Sequence, residues 1–344
     1  MKRERRVVEF ERGRADYFGL GDVDIGVLKE FTNSKQYGSQ EAPEQILRDA
    51  GALIGRVGAR EWTNAGVLFF TSNPRRVLSQ AYIRLLRFEC LYENEDERPT
   101  PTFEQDFSGP LTKQIRDFRT FVSDSGFFRT FEVRAADGGF VTEPEFPNIA
   151  IDEAVVNAVA HRDYGIRIPI ICERYNDAFV VKSPGRMLQP IELPSEFRLR
   201  EIQLGSCLRN QQLMDWLRAM KDAHGTAFVK AIREGTRRMR QEMDALGLPV
   251  PVYKNRPTET VLVLRNDIVK RAAKPTGLAT EAAIDSDEFT NLYRLRGFDT
   301  NGEREWIREK RRVFLRSLVD RLEASGWIVD RFAKGRIVAH PKGA

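Results

Sequence analysis

Apolar residues recur along the chain in two patterns, which predict two kinds of element. Helical spacing in EAPEQILRDAGAL, and again at Leu111, Ile115, Phe118 and Val122, predicts amphipathic helices. Continuous apolar runs predict buried strands in TNAGVLFF, AYIRLLRFECLY, RIPIICERY and AFVVKS, whereas NEDERPTPTFEQDFSG is predicted to be a loop. FFRTFEVRAADGGFVTEP, with its Asp-Gly-Gly turn, predicts a hairpin.

The second half of the chain continues this alternation. NQQLMDWLRAM, with Asn210 as its N-cap, and RRMRQEMDAL, closed by Gly247, predict two further helices. PVYKNRPTETVLVLR predicts strands at the edge of a sheet. The last apolar pattern predicts a helix and then a hairpin that turns at Ala333-Lys334-Gly335. The alternation as a whole predicts an α/β protein.

One predicted helix carries a polar stripe on an otherwise apolar surface. In NIAIDEAVVNAVAHRDYG, residues 148 to 165, Glu153, Asn157 and His161 recur once per turn among alanine, valine and isoleucine. Any one of them alone would be interpreted as a solvated or locally bonded side chain. Three in register indicate a bound ligand, because burying polar groups without partners costs about 2 kcal/mol or more each.

Magnesium chemistry fits two residues of this stripe. Mg²⁺ takes hard oxygen ligands and keeps several waters, so the carbonyl oxygen of Asn157 together with nucleotide phosphates would suit it. Glu153, one turn earlier, could polarise a water that attacks the γ-phosphate. The spacing E-x-x-x-N is common, however, and alone it carries almost no weight.

A longer ordered pattern gives these residues a context. The string P-x-x-A-I-x-E-A-x-x-N-A-x-x-H-R-D-Y is preceded by TNAGVLFFTSNPRR and followed by S-P-G, R-N and REGTRRMRQEMDALGLPVP. It resembles the GHKL-type ATP-binding proteins known as RecG-like C-terminal or Schlafen/Alba-type transcriptional regulators, over roughly residues 45 to 265. The resemblance implies an α+β sandwich with a Bergerat-type ATP-binding core.

The resemblance also assigns roles to individual residues. It implies that Glu153 is the catalytic carboxylate and that Asn157 binds magnesium and nucleotide, with Arg162 in the continuing signature. Ser183 and Gly185 stand where relatives contact adenine, and Ser183 could hydrogen-bond the adenine amino group. The implied phosphate site comprises Arg233, Gly235 and Thr236.

The phosphate site departs from the pattern of its relatives. Where they have E-x-G-E-G-I-x-R-M, this chain has Arg233 in place of the first glycine and Ala231 in place of the acidic residue. Arg233 could pair with phosphate, or it could fill the space that phosphate would occupy. We therefore expect ATP and magnesium to bind and leave hydrolysis open, and the alternative is a non-catalytic scaffold with a degenerate site.

Composition and charge limit the remaining classes. The chain has 344 residues, of which 41% are hydrophobic, and neither a signal peptide nor a membrane-spanning run is apparent, so we expect a cytoplasmic protein without membrane contact. Three cysteines without paired spacing exclude a disulfide framework and a cysteine zinc module. A G-x-S-x-G elbow, a P-loop and tandem metal carboxylates are missing, which excludes the corresponding hydrolase and motor classes.

The C-terminal region suggests contact with DNA. A helix followed by a basic hairpin is typical of a winged helix, and a net charge of +5 permits nucleic-acid binding. The residues predicted to contact phosphates are Arg311, Arg312, Arg316, Lys334 and Arg336. The alternative is that this helix and hairpin pack on the core or on a partner.

Four segments follow from these patterns. They are an N-terminal arm (1–44), an α/β region (45–145), the GHKL-type ATP-binding domain (146–265) and a winged-helix-like domain (266–344). Relatives carry an Alba-type DNA-binding domain before the core, so we expect that domain to be either absent here or supplied by a separate chain. We further expect a homo-oligomer that acts on DNA in regulation or defence.

Overall fold

The computed structural model describes most of the chain up to residue 266 and short segments beyond it. The described residues are 10–35, 41–55, 61–93, 98–134, 139–202, 204–205, 207–221, 225, 227–229, 235–266, 282–285, 327–333 and 336–341. The chain divides into two compact units. The first comprises Met1–Phe131 and Glu143–Asn266, and the second comprises Glu132–Thr142 and Asp267–Ala344.

The elements alternate between helix and strand, as the sequence predicts. Up to residue 144 they are β1 (Arg14–Ala15), α1 (Ile25–Lys35), α2 (Pro43–Asp49), β2 (Leu53–Ile54), β3 (Glu61–Thr63), α3 (Asn64–Phe70), β4 (Ile83–Arg87), β5 (Phe103–Phe107), α4 (Leu111–Asp124), β6 (Thr130–Arg134) and β7 (Phe140–Pro144). They continue with α5 (Asn148–His161), β8 (Ile170–Arg174), β9 (Ala178–Pro184), β10 (Glu196–Arg198), α6 (Gln211–Ala219), α7 (Gly235–Ala245), β11 (Val252–Asn255), β12 (Glu259–Arg265), β13 (Ala282–Asp285), β14 (Trp327–Ala333) and β15 (Arg336–Pro341).

A seven-stranded mixed sheet forms the centre of the first unit. Its spatial order is β10-β11-β12-β9-β8-β4-β5. Strands β4 and β8 are parallel, with Ile83 opposite Ile170, and the other neighbouring pairs are antiparallel. The mixed α/β class is therefore confirmed. The sheet draws strands from both sides of residue 146, where the sequence patterns change.

Successive side chains of the central strands lie on opposite faces of the sheet. On β9, Phe179 and Val181 join the main core, whereas Ala178 and Val180 join a smaller cluster that contains Tyr175. Successive side chains of a strand point to opposite faces, so Ser183 lies on the same face as Phe179 and Val181. This is the face on which α5 packs, because the hydroxyl of Ser183 bonds a carbonyl of that helix.

The prediction of a strand at TNAGVLFF is wrong, because this segment forms α3. The Thr63 hydroxyl accepts a hydrogen bond from the Gly66 N–H at 3.0 Å, so Thr63 caps the helix. A Cβ atom on Gly66 would lie 2.4 Å from the Ala52 carbonyl oxygen, so the glycine permits this close approach. The apolar run is unbroken because α3 is buried on every side, a pattern that periodicity alone cannot distinguish from a buried strand.

Two predictions about sheet edges are also wrong. The segment predicted as a loop after residue 93 contains β5, which pairs with β4 and forms one edge of the large sheet. Strand β12 was predicted at an edge but lies between β11 and β9, and the short β10 takes the edge instead. An edge strand is hard to predict because much of it faces solvent: of the five residues of β5, one is buried, two are partly buried and two are exposed.

The predicted helices of the core are confirmed, with one change at a cap. The structure has α2, α4, α5, α6 and α7 where the spacing predicts them, and Gly247 follows α7 with φ +67°. Asn210 precedes α6, but its side chain does not cap that helix. Instead it donates hydrogen bonds to the carbonyl oxygens of Ala160 (3.0 Å) and Arg162 (2.7 Å), which ties α6 to the end of α5.

The second unit contains a three-stranded sheet in the order β13-β15-β14. Strands β14 and β15 are antiparallel, with Ala333 opposite Arg336, which confirms the C-terminal hairpin. Arg336 begins β15, whereas Arg311, Arg312, Arg316 and Lys334 lie outside the described residues. The winged helix stays a prediction. None of the helices that the structure describes has both the length and the apolar character that crossing a bilayer requires.

Candidate functional site

A cavity of about 170 Å³ lies in the first unit between α5 and the helix-facing side of the sheet. The sheet contributes Val181, Ser183, Tyr253, Thr260 and Leu262. The helices contribute Glu153, Ala154, Asn157, Ala158, His161, Met214, Arg218, Gly235 and Thr236. The intervening loops contribute Gly185, Arg186, Met187, Leu188, Gln189, Leu204, Gly205, Cys207, Leu208, Arg209 and Val229. The walls thus combine an apolar interior with a few polar groups, as in most ligand sites.

Helix α5 places the polar stripe on the cavity. Glu153, Asn157 and His161 all line it, as the spacing of four residues predicts. Val155 and Val159 on the other side of the helix are 1% and 0% exposed, so the apolar side fixes the orientation of α5 against the core. The polar stripe therefore faces the cavity, because the opposite side of α5 is packed against the core.

The N-terminus of α7 meets the stripe at its first two members. A Cβ atom on Gly235 would lie 2.4 Å from Oε2 of Glu153 and 3.6 Å from Nδ2 of Asn157. The first backbone N–H groups of a helix have no partner within it, and the helix dipole favours negative charge at this end. Gly235 and Thr236 thus bring a site that suits an anion next to a carboxylate and an amide.

Glu153 and Asn157, the two polar residues beside α7, differ in their interaction partners. A guanidinium nitrogen of Arg238, on α7, lies 3.8 Å from Oε1 of Glu153, so the carboxylate already has a cationic neighbour. The Nδ2 atom of Asn157 is buried, and it has no hydrogen-bond partner among the described residues. Burial, with a smaller contribution from the Glu153 charge, raises the pKa of Tyr253, which therefore stays protonated as a hydrogen-bonding phenol.

On the sheet side, two hydroxyl groups are already oriented by the protein. Ser183 donates to the Ala158 carbonyl oxygen at 3.0 Å, and Thr260 donates to the Gly185 carbonyl oxygen at 2.8 Å. A hydroxyl has one hydrogen to donate, so the remaining capacity of the Ser183 oxygen is to accept. Gly185 has φ +103°, and a Cβ atom there would lie 2.6 Å from Cβ of Asp163. Glycine is thus required at this turn.

The far end of α5 is cationic. Arg209 donates to Oδ2 of Asp163 at 3.0 Å and to the Arg186 carbonyl oxygen at 2.6 Å. The imidazole of His161 is open to the cavity, yet the cavity walls surround it. This desolvation, together with the positive charges of Arg209 and Arg218, holds the pKa of His161 below its usual value. His161 is therefore neutral at pH 7.

The structure brings most of the predicted ligand-binding residues together. Arg162 is different: it is 2% exposed, donates to the Ile168 carbonyl oxygen at 2.6 Å and lies outside the cavity lining. Arg233 falls outside the described residues. The cavity also contains Arg209, Arg218 and Thr260, which are not among the residues predicted from the sequence. Arg209 has a sequence signal in the R-N pair, whereas Arg218 has none, because one arginine in an amphipathic helix reads as a solvated residue.

These residues could hold Mg²⁺ only together with a bound molecule that supplies phosphate oxygens. Within the described part of the chain there is no group of three or more histidine, cysteine, aspartate or glutamate side chains that could hold a metal. Asn157 can offer one carbonyl oxygen, and its Nδ2 atom has no hydrogen-bond partner among the described residues. One protein ligand with phosphate oxygens and water is a coordination that Mg²⁺ accepts.

Part of the chain is similar to a known protein family. Residues 168–264 match an HATPase family model described as "Putative ATP-dependent DNA helicase recG C-terminal". The match covers well under half of the chain and starts after α5, so it includes Ser183, Gly185 and Gly235 but not Glu153 or Asn157. This region is therefore HATPase-like and similar to the RecG C-terminal type.

A solved structure extends the likeness of the fold. The DIP2311 protein from Corynebacterium diphtheriae is 22% identical, with a TM-score of 0.54 over 75% of this chain. The chain spans 47% of that protein's length, and the likeness shows the fold alone. No curated protein matches the chain significantly.

Proposed function

We propose, from the HATPase-like match and the polar stripe of α5, that the chain binds an adenine nucleotide with magnesium in this cavity. We propose further that it acts as a nucleotide-responsive regulatory or defence-associated protein on DNA. One observation carries the proposal of nucleotide binding most strongly. The Nδ2 atom of Asn157, buried and without a hydrogen-bond partner among the described residues, lies beside the N-terminus of α7, where a phosphate–metal group would satisfy both.

The phosphate end of the ligand would lie between α5 and α7. Gly235 and Thr236 would offer backbone N–H groups to the phosphate oxygens, and Asn157 would hold the magnesium ion through its carbonyl oxygen. The ion would offset the negative charge of the phosphates there. Because Arg238 lies near Glu153, the local charge is less negative than the carboxylate alone would make it, and a phosphate is better tolerated.

The base would lie deeper, against the sheet. The Ser183 oxygen accepts hydrogen bonds, and the exocyclic amine of adenine donates them. Met187, Leu208 and Leu262 supply apolar surface for a ring system. A base with a carbonyl oxygen at the same position would place two hydrogen-bond acceptors against each other. Ser183 therefore favours adenine.

Hydrolysis would be slow in this arrangement. Glu153 is the candidate general base, since it lies one turn from Asn157 on the same face of α5. Its charge is shared with Arg238, which weakens a carboxylate as a proton acceptor. This pairing is also what favours the second candidate function, a non-catalytic scaffold whose site no longer turns over nucleotide.

Contact with DNA rests on the C-terminal region and on the RecG-type likeness. Residues Arg311, Arg312, Arg316, Lys334 and Arg336 of the winged-helix-like domain would contact phosphates, and binding would then fall steeply with salt. Charge reversal at Lys334 and Arg336 tests the hairpin. A gel shift that persists with the same salt dependence would remove the hairpin from the DNA site. A homo-oligomer and a separate chain with a DNA-binding domain stay predictions.

A substitution at Asn157 tests the proposed nucleotide site. We expect Asn157→Ala to abolish the part of ATP affinity that depends on magnesium, measured by calorimetry with and without the ion, while thermal unfolding stays close to normal. Asn157→Asp retains an oxygen ligand and serves as the matched comparison. Equal magnesium dependence in Asn157→Ala and the unmodified protein would remove Asn157 from the site.

A further inference from the structure

The end of the cavity away from Glu153 is lined by three nitrogen-bearing side chains. His161 ends α5, Arg209 lies just before α6, and Arg218 lies in the last turn of α6. An α-helix rises about 1.5 Å per residue, so the Cα atoms of Glu153 and His161 are separated by about 12 Å along α5. This cationic end is therefore distinct from the place where α7 meets Glu153 and Asn157.

Two of these side chains differ in how well their charge is balanced. Arg209 is balanced by Asp163, whose Oδ2 lies 3.0 Å from it. Within the described part of the chain, the ion pair shown for Arg218 is a long one with Asp215 at 3.7 Å, and the Asp215 side chain is 52% exposed. In addition, Nε of Arg218 is buried and has no hydrogen-bond partner among the described residues. An unsatisfied buried N–H on a cation is costly unless an acceptor reaches it, and a charged acceptor satisfies it best.

The neighbouring imidazole adds a third group that can bond the same anion. His161 is open to the cavity and close enough to Arg209 and Arg218 for their charges to act on it. A neutral imidazole carries one N–H that can donate. The charges that act on His161 are those of Arg209 and Arg218, which line the same cavity, and the carboxylate of Asp163 is engaged by Arg209.

We propose that His161, Arg209 and Arg218 form a second anion subsite, which binds a phosphate group at the end of the cavity opposite to Glu153. The subsite rests on its own geometry, and the identity of the rest of the ligand rests on the proposed nucleotide function. The class of ligand that fits both ends is an adenine nucleotide with a second phosphate remote from the metal-bound one. Adenosine 3′,5′-bisphosphate is the simplest member of this class.

The first experiment compares two nucleotides that differ by one phosphate. Calorimetry in the presence of magnesium gives the affinities of AMP and adenosine 3′,5′-bisphosphate, and the ratio of the two is the readout. We expect the bisphosphate to bind at least tenfold more tightly, and we expect Arg218→Gln to bring the ratio close to one. Arg198→Gln removes the same charge from an exposed position on β10 and should leave the ratio unchanged.

A second experiment tests the subsite without nucleotide. Inorganic phosphate, at constant ionic strength set with chloride, is titrated while the imidazole resonances of His161 are followed by NMR, with His161→Gln identifying them. We expect a saturable shift that weakens at least fivefold in Arg218→Gln and persists in Asn157→Ala. A phosphate-dependent shift together with failure of AMP and ATP to bind would retain the subsite and overturn the proposed nucleotide function.

Two results would overturn the subsite itself. One is an Arg218→Gln variant that weakens AMP and the bisphosphate by the same factor, because Arg218 would then contact the base or the ribose. The other is equal affinity for the two nucleotides together with no effect of inorganic phosphate on His161. A gain with the bisphosphate but none with inorganic phosphate supports a ligand-borne phosphate, and the reverse supports free phosphate as the source.

Discussion

The hydroxyl of Ser183 donates a hydrogen bond to the carbonyl oxygen of Ala158, 3.0 Å away, and this bond joins the central strand β9 to α5. The hydroxyl hydrogen of Ser183 is used in this bond, so its oxygen remains available to accept a hydrogen bond from a ligand. The bond thus turns a small polar residue into a directional acceptor on the wall of the cavity.

This relationship predicts the base preference. We expect Ser183→Ala to weaken ATP binding by several-fold to about tenfold, since a neutral hydrogen bond contributes about 0.5–1.5 kcal/mol. Inosine triphosphate, which carries a carbonyl oxygen in place of the adenine amine, should bind more weakly to the unmodified protein and about equally to both proteins. Calorimetry with the two nucleotides measures this, and an unchanged ATP affinity in Ser183→Ala would place the base elsewhere.

The pair between Arg238 and Glu153 predicts that hydrolysis is restrained. Arg238→Gln removes the cation 3.8 Å from the candidate base, so we expect phosphate release from ATP to rise above that of the unmodified protein. The exposed neighbour Arg237→Gln serves as control. The increase should vanish in the double variant with Glu153→Gln, measured as phosphate release over hours. A rate that does not change, or an increase that survives Glu153→Gln, would contradict a base role for Glu153.

A buried ion pair at the start of α5 predicts a pH-dependent stability. Burial alone would raise the pKa of Glu145, but the charges of Arg129 and Arg174 lower it below 4.5. The ionised carboxylate thus stabilises the fold above about pH 4.5, and this contribution is lost as the pH falls through the lower folded-state pKa. We expect Glu145→Gln to lose about 3–5 kcal/mol in urea unfolding at pH 7.

The acid dependence separates this effect from a simple packing change. The difference in unfolding free energy between Glu145→Gln and the unmodified protein should shrink as the pH falls below 4.5. The exposed Glu196→Gln should show little difference at any pH. A deficit in Glu145→Gln that is independent of pH would show that the ionised state of Glu145 does not stabilise the fold.

The lowered pKa of His161 has the opposite proton linkage. The folded protein disfavours the protonated imidazole, so the unfolded chain binds more protons as the pH falls below about 6.5, and folded stability decreases there. His161→Gln cannot gain this charge and should lose less stability between pH 7 and pH 5. Parallel urea unfolding curves measure the effect, and equal losses in the two proteins would mean that His161 titrates normally.

The close contact between α3 and the backbone of Ala52 predicts that glycine is required at position 66. Gly66→Ala places a Cβ atom 2.4 Å from the Ala52 backbone oxygen, so we expect a loss of about 1–3 kcal/mol from overpacking. Thr63→Ala, which removes the helix cap, should cost about 1 kcal/mol and provides a scale for local damage. Thermal unfolding gives both values. A Gly66→Ala variant as stable as the unmodified protein would show that α3 can shift away.

The stripe on α5 could be predicted from sequence because a helix repeats its faces every three to four residues. Glu153, Asn157 and His161 are therefore neighbours in any helix, whatever the rest of the fold. The same holds for α4 and α7, whose apolar spacing is regular and whose ends carry recognisable residues. Local periodicity and capping are properties of short segments, so they can be predicted without knowledge of tertiary contacts.

The remainder of the cavity depends on contacts between distant segments. Ser183 and Thr260 are adjacent on paired strands only because β9 and β12 meet in register, with Ser183 opposite Thr260. Arg218 and His161 line the same cavity although they lie on different helices, and Asn210 links the start of α6 to the end of α5. TNAGVLFF was mispredicted for a related reason, since an apolar run buried on all sides carries no periodicity.

Titration of the unmodified protein with ATP, in the presence and absence of magnesium, measures whether the cavity beside α5 binds a nucleotide. We predict saturable binding of one nucleotide per chain, with an affinity that increases when magnesium is present. Competition by ADP and a weaker response to inosine triphosphate should accompany it. The absence of binding at millimolar ATP with magnesium would contradict the account and leave the chain as a scaffold without a nucleotide site.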